Sequence, residues 1–312
     1  MSEPQPLQGI VIRLHGQHAC VAAGDQQFLC TLRGRLKKGK RRDRSPVAVG
    51  DRVRITPIVG DGEPEAALEE VLPRKGELFR SHPHDRRMRQ LMAVNVDMLV
   101  IVAGADRLSE QLTTVDRLLA TALLQSLTPV IVVNKCDLVD RALLDPLLRP
   151  YIGMGLALYR VSASAGQLDG INALFAGRTA VFAGQSGVGK SSILNALQPG
   201  LKLRVGEVDR DGEGRHTTTN ASLLPLAGGF VVDTPGVRDF GLFDIKPEEL
   251  SLAYPDFASA RQHCKFSTCT HRHEPHCAVK AAVISGEIDA GRYERYLSIL
   301  REEWNTEQRL AP

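Results

Sequence analysis

The sequence is short of several residue types, and each shortage argues against a class of protein. Its 312 residues include one Trp, five Tyr and nine Phe, and no apolar run is as long as a membrane span. The first residues, MSEPQPLQG, lack the apolar core of a signal peptide. The six cysteines are not spaced as a disulfide framework. We therefore expect a cytoplasmic protein without a membrane partner, and neither a membrane protein nor a disulfide-rich secreted one.

The chain nevertheless contains enough apolar material for more than one core. Hydrophobic residues make up 43% of the sequence, and 312 residues exceed one typical domain, so two or three domains are predicted. The first part has a pattern of short strands, bounded by turn residues. Five such strands at this spacing predict a small closed barrel, with an OB-fold as the candidate. The predicted strands are Gly9–Leu14, His18–Ala22, Gln27–Leu32, Asp51–Thr56 and Glu69–Leu72.

A strongly basic run lies between the third and fourth predicted strands and is therefore predicted to be a loop. Residues 33–44 read RGRLKKGKRRDR, although the formal net charge of the whole chain is only +3. Such a loop on a barrel suits the phosphate backbone of RNA; an ordinary solvated charge run is the simpler alternative. Aromatic residues near it are scarce, which favours backbone and shape contacts over base readout. The predicted RNA-binding residues are Arg35, Lys37, Lys38, Lys40, Arg41 and Arg42.

The pattern changes after this barrel. Residues 83–89, PHDRRMR, are a second basic patch and are interpreted as a linker. Strands and helices then alternate, which predicts a doubly wound α/β domain, and residues 246–312 are predicted to be mostly helical. The predicted elements include a continuous strand over Val94–Ala103 and helices over Leu168–Phe175 and Pro247–Arg261.

A phosphate-binding loop is predicted between a buried strand over Thr179–Ala183 and a helix beginning near Ser192. The sequence GQSGVGKSS matches G-x-x-x-x-G-K-[ST] in the strand–loop–helix context that the motif requires. Lys190 is expected to reach the β- and γ-phosphates, and Ser191 to hold Mg²⁺. An ordinary Gly-rich turn would not combine this spacing with the Lys-Ser pair. The predicted nucleotide-binding residues of this loop are Gly184, Gln185, Ser186, Gly187, Val188, Gly189, Lys190, Ser191 and Ser192.

Two further segments are expected to contact the γ-phosphate and the metal. Asp233-Thr234-Pro235-Gly236 reads D-x-x-G after a predicted strand. Asp233 would support Mg²⁺ through water, and the N–H group of Gly236 would sense the γ-phosphate. In the HTTT segment of residues 216–219, either Thr217 or Thr218 would complete the Mg²⁺ site; a Thr-rich strand start is the alternative. The predicted catalytic residues are Lys190, Ser191, Thr217, Thr218, Asp233 and Gly236.

Base recognition is predicted upstream of the phosphate loop. The sequence NKCD, which follows a buried strand, matches N-K-x-D and comprises Asn134, Lys135, Cys136 and Asp137. The Asp137 carboxylate can accept hydrogen bonds from guanine N1–H and the 2-amino group, a pair of donors that adenine lacks. Asn134 and the stem of Lys135 would hold the base and its neighbours. Ser162 and Ala163 begin an S-A-x element that would support guanine through a backbone N–H.

The order of these motifs is unusual. A standard GTPase runs from phosphate loop through D-x-x-G to N-K-x-D and S-A-x, whereas here the last two come first. A circular permutation explains this order and leaves the packed core intact. With GQSGVGKSS, GRHTTT and the Cys/His cluster, the chain closely resembles the circularly permuted GTPases of bacterial ribosome assembly, the RsgA (YjeQ/YloQ) family. The resemblance implies GTP hydrolysis, binding to the 30S subunit and its 16S rRNA, stimulation by it, and a role in its late maturation.

The resemblance covers nearly the whole chain and predicts a multidomain α/β protein with three parts. These are an OB-fold RNA-binding domain over residues 1–82, a circularly permuted GTPase domain over 83–245 and a helical zinc-binding domain over 246–312. A monomer is expected. The rival readings are a non-enzymatic RNA-binding switch controlled by GTP and, less well matched by ligand spacing, a zinc-finger DNA-binding protein.

The third part contains the predicted metal site. Four soft or borderline ligands in C-x₄-C-x-H-x₅-C spacing suit one tetrahedral, structural Zn²⁺. The resemblance places the histidine ligand at His271, although His263, His273 and His276 are alternatives. The predicted ligands are Cys264, Cys269, His271 and Cys277.

The residue that activates the attacking water is not evident. Ras-like enzymes place a glutamine just after D-x-x-G, where this chain has Val237. Some relatives carry a histidine shortly after this segment, where this chain has Asp244, and His216 is another candidate. We therefore expect slow turnover by the protein alone and acceleration by a partner.

Overall fold

The fold is described from a computed structural model. It describes residues 5–32 except 17, 46–58, 62, 64–82, 85–168, 170–201, 221–233, 242 and 245–310, with the main chain alone over 80–90 and 304–310. The chain divides into two compact units. One comprises Met1–Asp97, Ala173–Val181 and Asp209–Val237, and the other Met98–Asn172, Phe182–Val208 and Arg238–Pro312. The predicted division into three domains stays a prediction.

The first unit contains the expected five-stranded barrel. Its strands are β1 (Leu7–His15), β2 (His18–Ala23), β3 (Gln26–Leu32), β4 (Arg52–Ile58) and β5 (Glu65–Val71). Strand β1 pairs antiparallel with β2 and β2 with β3; β3 runs parallel to β5, β5 pairs with β4, and β4 returns to β1. This closure confirms the OB-like barrel. Alternate side chains fill its interior, among them Val11, Val21, Phe28, Val53 and Leu68.

A hairpin that the sequence analysis missed follows the barrel. Strands β6 (Glu77–His82) and β7 (Asp85–Val94) pair antiparallel, with Glu77 opposite Val94. The interpretation of residues 83–89 as a linker is therefore wrong from Asp85 onward. Ladder hydrogen bonds use main-chain groups, so a basic composition does not prevent a strand and did not reveal this one.

The predicted strand Val94–Ala103 is in fact interrupted. Strand β7 ends at Val94 and β8 begins at Met98. Asn95 between them has a left-handed φ of 56°, its amide donates to the Gly50 carbonyl, and its side-chain oxygen accepts from Lys75 N–H. Asn tolerates this conformation because its short polar side chain can bond locally. The apolar composition around it concealed the turn.

The second unit has a parallel sheet with the order β10-β9-β8. It is formed by β8 (Met98–Gly104), β9 (Thr128–Asn134) and β10 (Ala157–Arg160), with helices α1 (Leu108–Leu124) and α2 (Arg141–Gly153) as connections. Every residue of β8 is buried, as expected for a parallel strand covered on both faces. Helix α1 packs on β8 and β9 through Leu112, Val115 and Leu119.

Three further strands lie in the described residues. Strand β11 (Thr179–Ala183) is fully buried, and β12 (Ser222–Leu226) and β13 (Gly229–Asp233) form a hairpin. Within the first unit, β13 runs parallel to β11 with Thr179 opposite Phe230, and β12 pairs with β1. The helix predicted over Leu168–Phe175 is wrong: a single 3-10 turn, Asn172–Leu174, stands there.

The C-terminal part of the second unit is helical. Its helices are α4 (Pro247–Leu250), α5 (Ala258–Arg261), α6 (Ala278–Ile284) and α7 (Ala290–Leu310), and α3 (Lys190–Leu197) precedes them in the chain. The predicted single helix Pro247–Arg261 is broken at Tyr254-Pro255, because proline lacks the N–H that a helix interior requires. Tyr254, Phe257 and Tyr296 form an aromatic core here, with ring centroids about 5 Å apart. Across the described residues, none of the helices combines the length and apolarity that a bilayer crossing demands.

Candidate functional site

The phosphate loop follows β11 and ends at α3. Gly184 has a φ of 149°, and a Cβ on it would overlap the Val102 carbonyl of β8. Gly189, the N-cap of α3, has a φ of 92°, and a Cβ there would overlap the Asn134 amide. Both positions therefore require glycine, since an L side chain would be strained and would collide. The loop is fixed by this fit against neighbouring segments of the second unit.

Lys190 is the first residue of α3, and its ammonium lies back over the loop. Its Nζ donates to the carbonyls of Gly184 and Gln185, each at 2.9 Å. The Gln185 side chain in turn donates to Thr114 Oγ1 of helix α1 at 2.9 Å. Ser191 and Ser192 follow in the first turn of α3. A helix N-terminus with a lysine over it is a favourable environment for a phosphate group.

Asn134, the last residue of β9, joins three predicted segments. Its Nδ2 donates to the Val188 carbonyl in the phosphate loop at 3.0 Å, and its Oδ1 accepts from the Ala163 N–H at 3.0 Å. The side chain is only 3% exposed, so both hydrogen bonds are shielded from water. The N-K-x-D segment, the S-A-x segment and the phosphate loop therefore meet at one side chain.

The rest of the N-K-x-D segment is held by its neighbours. Lys135 has a left-handed φ of 63°, and its Nζ forms an ion pair with Asp106 Oδ2 at 3.0 Å. Buried Ser162 accepts the Asp137 N–H on its hydroxyl at 2.9 Å. The Asp137 residue itself is exposed, so its carboxylate is accessible to a ligand. Burial raises the pKa of the Cys136 thiol between them, which keeps it neutral.

The other residues predicted to contact the nucleotide or its metal lie in the first unit or outside the described residues. Asp233 ends β13 in the first unit, and partial burial raises the pKa of its carboxyl above the ordinary value. Thr217, Thr218 and Gly236 lie outside the described residues, as do His216 and Val237. The predicted RNA-binding residues lie outside them too: Arg35, Lys37, Lys38, Lys40, Arg41 and Arg42.

The Cys/His cluster forms a compact group. The ligand atoms of Cys264, Cys269, His271 and Cys277 all lie within 4.8 Å of one another, and the last three residues are buried. His271 Nδ1 is 3.4 Å from Cys277 Sγ and 3.6 Å from Cys264 Sγ. Burial lowers the pKa of His271, which favours the neutral imidazole that binds metals. This cluster could hold a metal ion.

Glu274 supports the ligand loop, and the sequence analysis missed it. Its carboxylate accepts hydrogen bonds from the Thr270 N–H and hydroxyl at 2.8 and 2.6 Å, and from the N–H groups of Arg272 and His273. Burial alone would raise the pKa of Glu274, but these hydrogen bonds outweigh it and lower the pKa to about 2. Tyr293 also donates to the His271 carbonyl at 2.6 Å.

A buried ion-pair network fastens helix α7 to helix α1. Arg292, 1% exposed, donates to Asp116 Oδ1 at 2.5 Å and to both carboxylate oxygens of Asp256. Arg295 donates to the other Asp116 oxygen at 2.6 Å, and the Tyr151 hydroxyl also donates to Asp116. Nothing in the local sequence pattern indicated this pairing, because its partners are far apart along the chain.

These elements define the class of the protein. A parallel sheet that carries N-K-x-D at the end of β9 and S-A-x after β10, with a phosphate loop later in the chain, is a P-loop GTPase in circularly permuted order. The base-recognition motif and the phosphate loop meet at Asn134 despite their reversed order along the chain.

Comparisons with known proteins identify the family. The family model described as "RsgA GTPase" matches residues 71–243. The small ribosomal subunit biogenesis GTPase RsgA of Bordetella pertussis is 42% identical over 306 residues, covering 95% of this chain and 96% of that protein. The crystal structure of YjeQ from Thermotoga maritima is similar with a TM-score of 0.78 at 35% identity, covering 96% and 98% of the two chains. The crystal structure of YloQ, described as a circularly permuted GTPase, is similar with a TM-score of 0.75 at 30% identity, covering 97% of this chain and 96% of that chain. The chain belongs to the RsgA GTPase family, and it is a GTPase.

Proposed function

We propose that this GTPase acts in biogenesis of the small ribosomal subunit, as the names of its relatives state for them. Its substrate is GTP with Mg²⁺, and its products are GDP and phosphate. The observation that carries the nucleotide part of the proposal is the position of Asn134, which bonds to the phosphate loop through Val188 and to the S-A-x segment through Ala163. A base-selecting segment and a phosphate-binding segment held by one buried side chain form a single nucleotide pocket.

In this pocket different residues recognise the base and bind the phosphates. The exposed Asp137 accepts hydrogen bonds from guanine, while Ser162 fixes its main chain and the Ala163 N–H holds the Asn134 side chain. An adenine nucleotide is rejected because the Asp137 carboxylate would remain unpaired. The N–H groups of Gly187–Lys190 bind the phosphates, and the Lys190 ammonium stabilises negative charge that develops as water attacks the γ-phosphorus.

Mg²⁺ would be held by Ser191, by Thr217 or Thr218 and, through water, by Asp233. When bound, it neutralises charge on the β- and γ-phosphate oxygens. The Gly236 N–H would sense the γ-phosphate. Because Val237 occupies the position of the Ras-like glutamine, we propose slow hydrolysis by the chain alone and faster hydrolysis on the small subunit.

The Cys/His cluster is proposed to hold one structural Zn²⁺. Three thiols and one imidazole are the donor set that zinc prefers, and ligand atoms within 4.8 Å of one another suit a tetrahedral arrangement. Four protein ligands leave no position for a water, so the role is structural. The ion would supply the charge that lets buried thiols ionise, since burial raises the pKa of Cys269 to about 12.

The macromolecular partner is proposed to be the 30S subunit with its 16S rRNA. The support is the OB-like barrel with the basic run of residues 33–44, whose composition suits a phosphate backbone. We propose that the protein works there as a monomer in the cytoplasm.

Phosphate release from GTP and ATP, with and without purified small subunits, tests this function. We expect release from GTP only, stimulation by the subunits, and a loss of about 100-fold or more in Lys190→Ala, because the variant lacks the charge over the phosphates. Lys75→Ala, which removes an exposed lysine of the first unit, is the matched control. Equal rates with ATP would contradict the proposal. Tight GTP binding without turnover would instead indicate a non-enzymatic RNA-binding switch.

A further inference from the structure

The turn between β8 and α1 lies beside the nucleotide pocket, although no motif marks it. It is a 3-10 turn, Ala105–Arg107, at the carboxyl end of a parallel strand, which is the edge where ligands bind in such sheets. Its shape is fixed at its start, because the Gly104 N–H donates to the buried side chain of Gln111 at 2.8 Å. The two charged residues that follow are therefore held in defined positions.

The first of them, Asp106, is already committed to the N-K-x-D segment. Its carboxylate accepts the Lys135 ammonium at 3.0 Å, with both side chains about one-third exposed or less. This pair orients Lys135 and compensates its charge. Asp106 is thus a positioning residue for the base-binding segment.

The second, Arg107, points a different way. Its Nη2 lies 3.9 Å from where a Cβ on Gly187 would stand, and among the described residues no other side chain or distant backbone comes as near to that point. Gly187 is in the middle of the phosphate loop, three residues before Lys190. In the part of the chain that the structure describes, the Arg107 guanidinium has neither a hydrogen bond nor an ion pair, unlike Lys135 beside it.

A guanidinium that lies beside a phosphate loop, with no ion-pair partner among the described residues, has an evident ligand chemistry. Arginine presents planar N–H donors that match phosphate oxygens, and it remains charged at all working pH values. The middle of a phosphate loop surrounds the α- and β-phosphates, whereas the lysine reaches the β- and γ-phosphates. We propose that Arg107 binds the diphosphate that GDP and GTP share. This inference rests on the proposed guanine-nucleotide function and adds a residue to it.

In this role Arg107 differs from an arginine that stabilises the transition state, because it contacts phosphates that do not react. A contact with the shared diphosphate strengthens the binding of GDP and the binding of GTP equally. A contact with the γ-phosphate would affect GTP alone. An indirect structural effect would not depend on salt in the same way, because salt screens charge–charge interactions but does not restore altered packing or main-chain geometry.

Calorimetric titration with GDP and with a non-hydrolysable GTP analogue separates these cases. For Arg107→Ala we expect about 10-fold weaker binding of both nucleotides at an ionic strength of about 0.05 M, with the loss shrinking at about 0.5 M. Arg107→Lys keeps the charge without the planar donors and should lose about threefold. Arg149→Ala, an exposed arginine on α2, is the matched control and should bind like the parent.

Each outcome decides the proposal. Unchanged binding by Arg107→Ala, a loss no larger than that of Arg149→Ala, a loss confined to the GTP analogue, or a loss that does not respond to salt would overturn it. In those cases the parent still binds guanine nucleotides, so the proposed function survives. Failure of the parent to bind either nucleotide would overturn the proposed function and this inference with it.

Discussion

The two sites of the second unit are held together by different interactions. The nucleotide elements are joined above all by neutral hydrogen bonds from Asn134 to main-chain groups, and the Lys135–Asp106 ion pair beside them is partly exposed. The C-terminal helices and ligand loop are held by charged groups, which are buried in the Arg292 network and partly buried at Glu274. In the nucleotide elements charged groups such as Asp137 remain accessible, whereas in the Cys/His cluster three of the four ligands are closed off.

This difference separates a site built to exchange its ligand from one built to keep it. Neutral bonds can hold a pocket in shape without filling it, so that its charges remain available for a nucleotide. Buried charges are costly when one partner is removed, so the helices around the proposed metal site resist opening. Four substitutions probe the comparison.

The largest effect is expected for Cys277→Ser. Removing one of four ligands should abolish tight metal binding, and structural zinc sites supply roughly 10–16 kcal/mol of apparent binding free energy in zinc-finger peptides. We expect the metal content to fall from one ion per chain to nearly none and the ligand loop to become sensitive to protease. Cys20→Ser, outside the cluster, should leave both unchanged. Full metal content in Cys277→Ser would contradict the assignment of the cluster.

Arg292→Ala should be the next most damaging change. It leaves the partly buried Asp256 without its guanidinium partner and the buried Asp116 with Arg295 and Tyr151 as its remaining partners, at a cost of up to about 3–5 kcal/mol in the free energy of unfolding. The matched control is Arg54→Ala, whose pair with Glu70 is about half exposed and should contribute at most about 1 kcal/mol. Urea unfolding measures both. If the two variants lose the same stability, buried charges do not distinguish the C-terminal helices.

Asn134→Ala tests the neutral bonds. It leaves the Val188 carbonyl and the Ala163 N–H without their partner, which should cost about 1–3 kcal/mol and weaken guanine-nucleotide binding about 10-fold or more. Asn172→Ala, at an exposed asparagine in a turn, is the control for both readouts. Nucleotide binding at the parent's affinity would mean that Asn134 does not hold the pocket together.

The smallest effect is expected for Glu274→Gln. The amide cannot accept all of the hydrogen bonds that converge on the carboxylate, so the variant should be about 1–2 kcal/mol less stable at neutral pH. Glu287→Gln, at an exposed position, should match the parent.

The pH dependence of this variant has a defined sign. The pKa of Glu274 is lowered from 4.5 to about 2, so its stabilisation is complete above 4.5 and is lost as the pH falls toward 2. The unfolding curves of the parent and Glu274→Gln should therefore converge over this range. A constant gap between them would show that the carboxylate charge is not what stabilises the loop.

Local patterns predicted the parts of the molecule that are local in sequence. Alternation revealed the barrel strands, and the phosphate loop and N-K-x-D segment stood out because their spacing is itself the chemistry. The turn at Asn95 was hidden because the two polar residues of this run, Asn95 and Asp97, alternate with apolar ones as they would in a strand. The break at Pro255 is a local signal, because proline disfavours the interior of a helix.

Contacts between distant residues were not predictable in the same way. Asp116 and Arg292 are separated by 176 positions, and each looks like an ordinary surface residue of a helix. Arg107 and Glu274 act through their position beside a loop, which only the folded chain reveals. Their residue types suggested charge, but their partners depend on tertiary packing.

Helix α1 is bound by side chains from other elements at two nearby positions. Thr114 receives the Gln185 side chain of the phosphate loop, and two residues further on Asp116 receives the guanidinium groups of Arg292 and Arg295. Thr114 and Asp116 lie on the same helix. A displacement of the phosphate loop that moves Thr114 would therefore also move Asp116, which two arginines hold. Either the hydrogen bond between Gln185 and Thr114 breaks, or the C-terminal helices move together with the loop. NMR relaxation rates of the α7 amides, measured with each nucleotide bound, would distinguish the two outcomes.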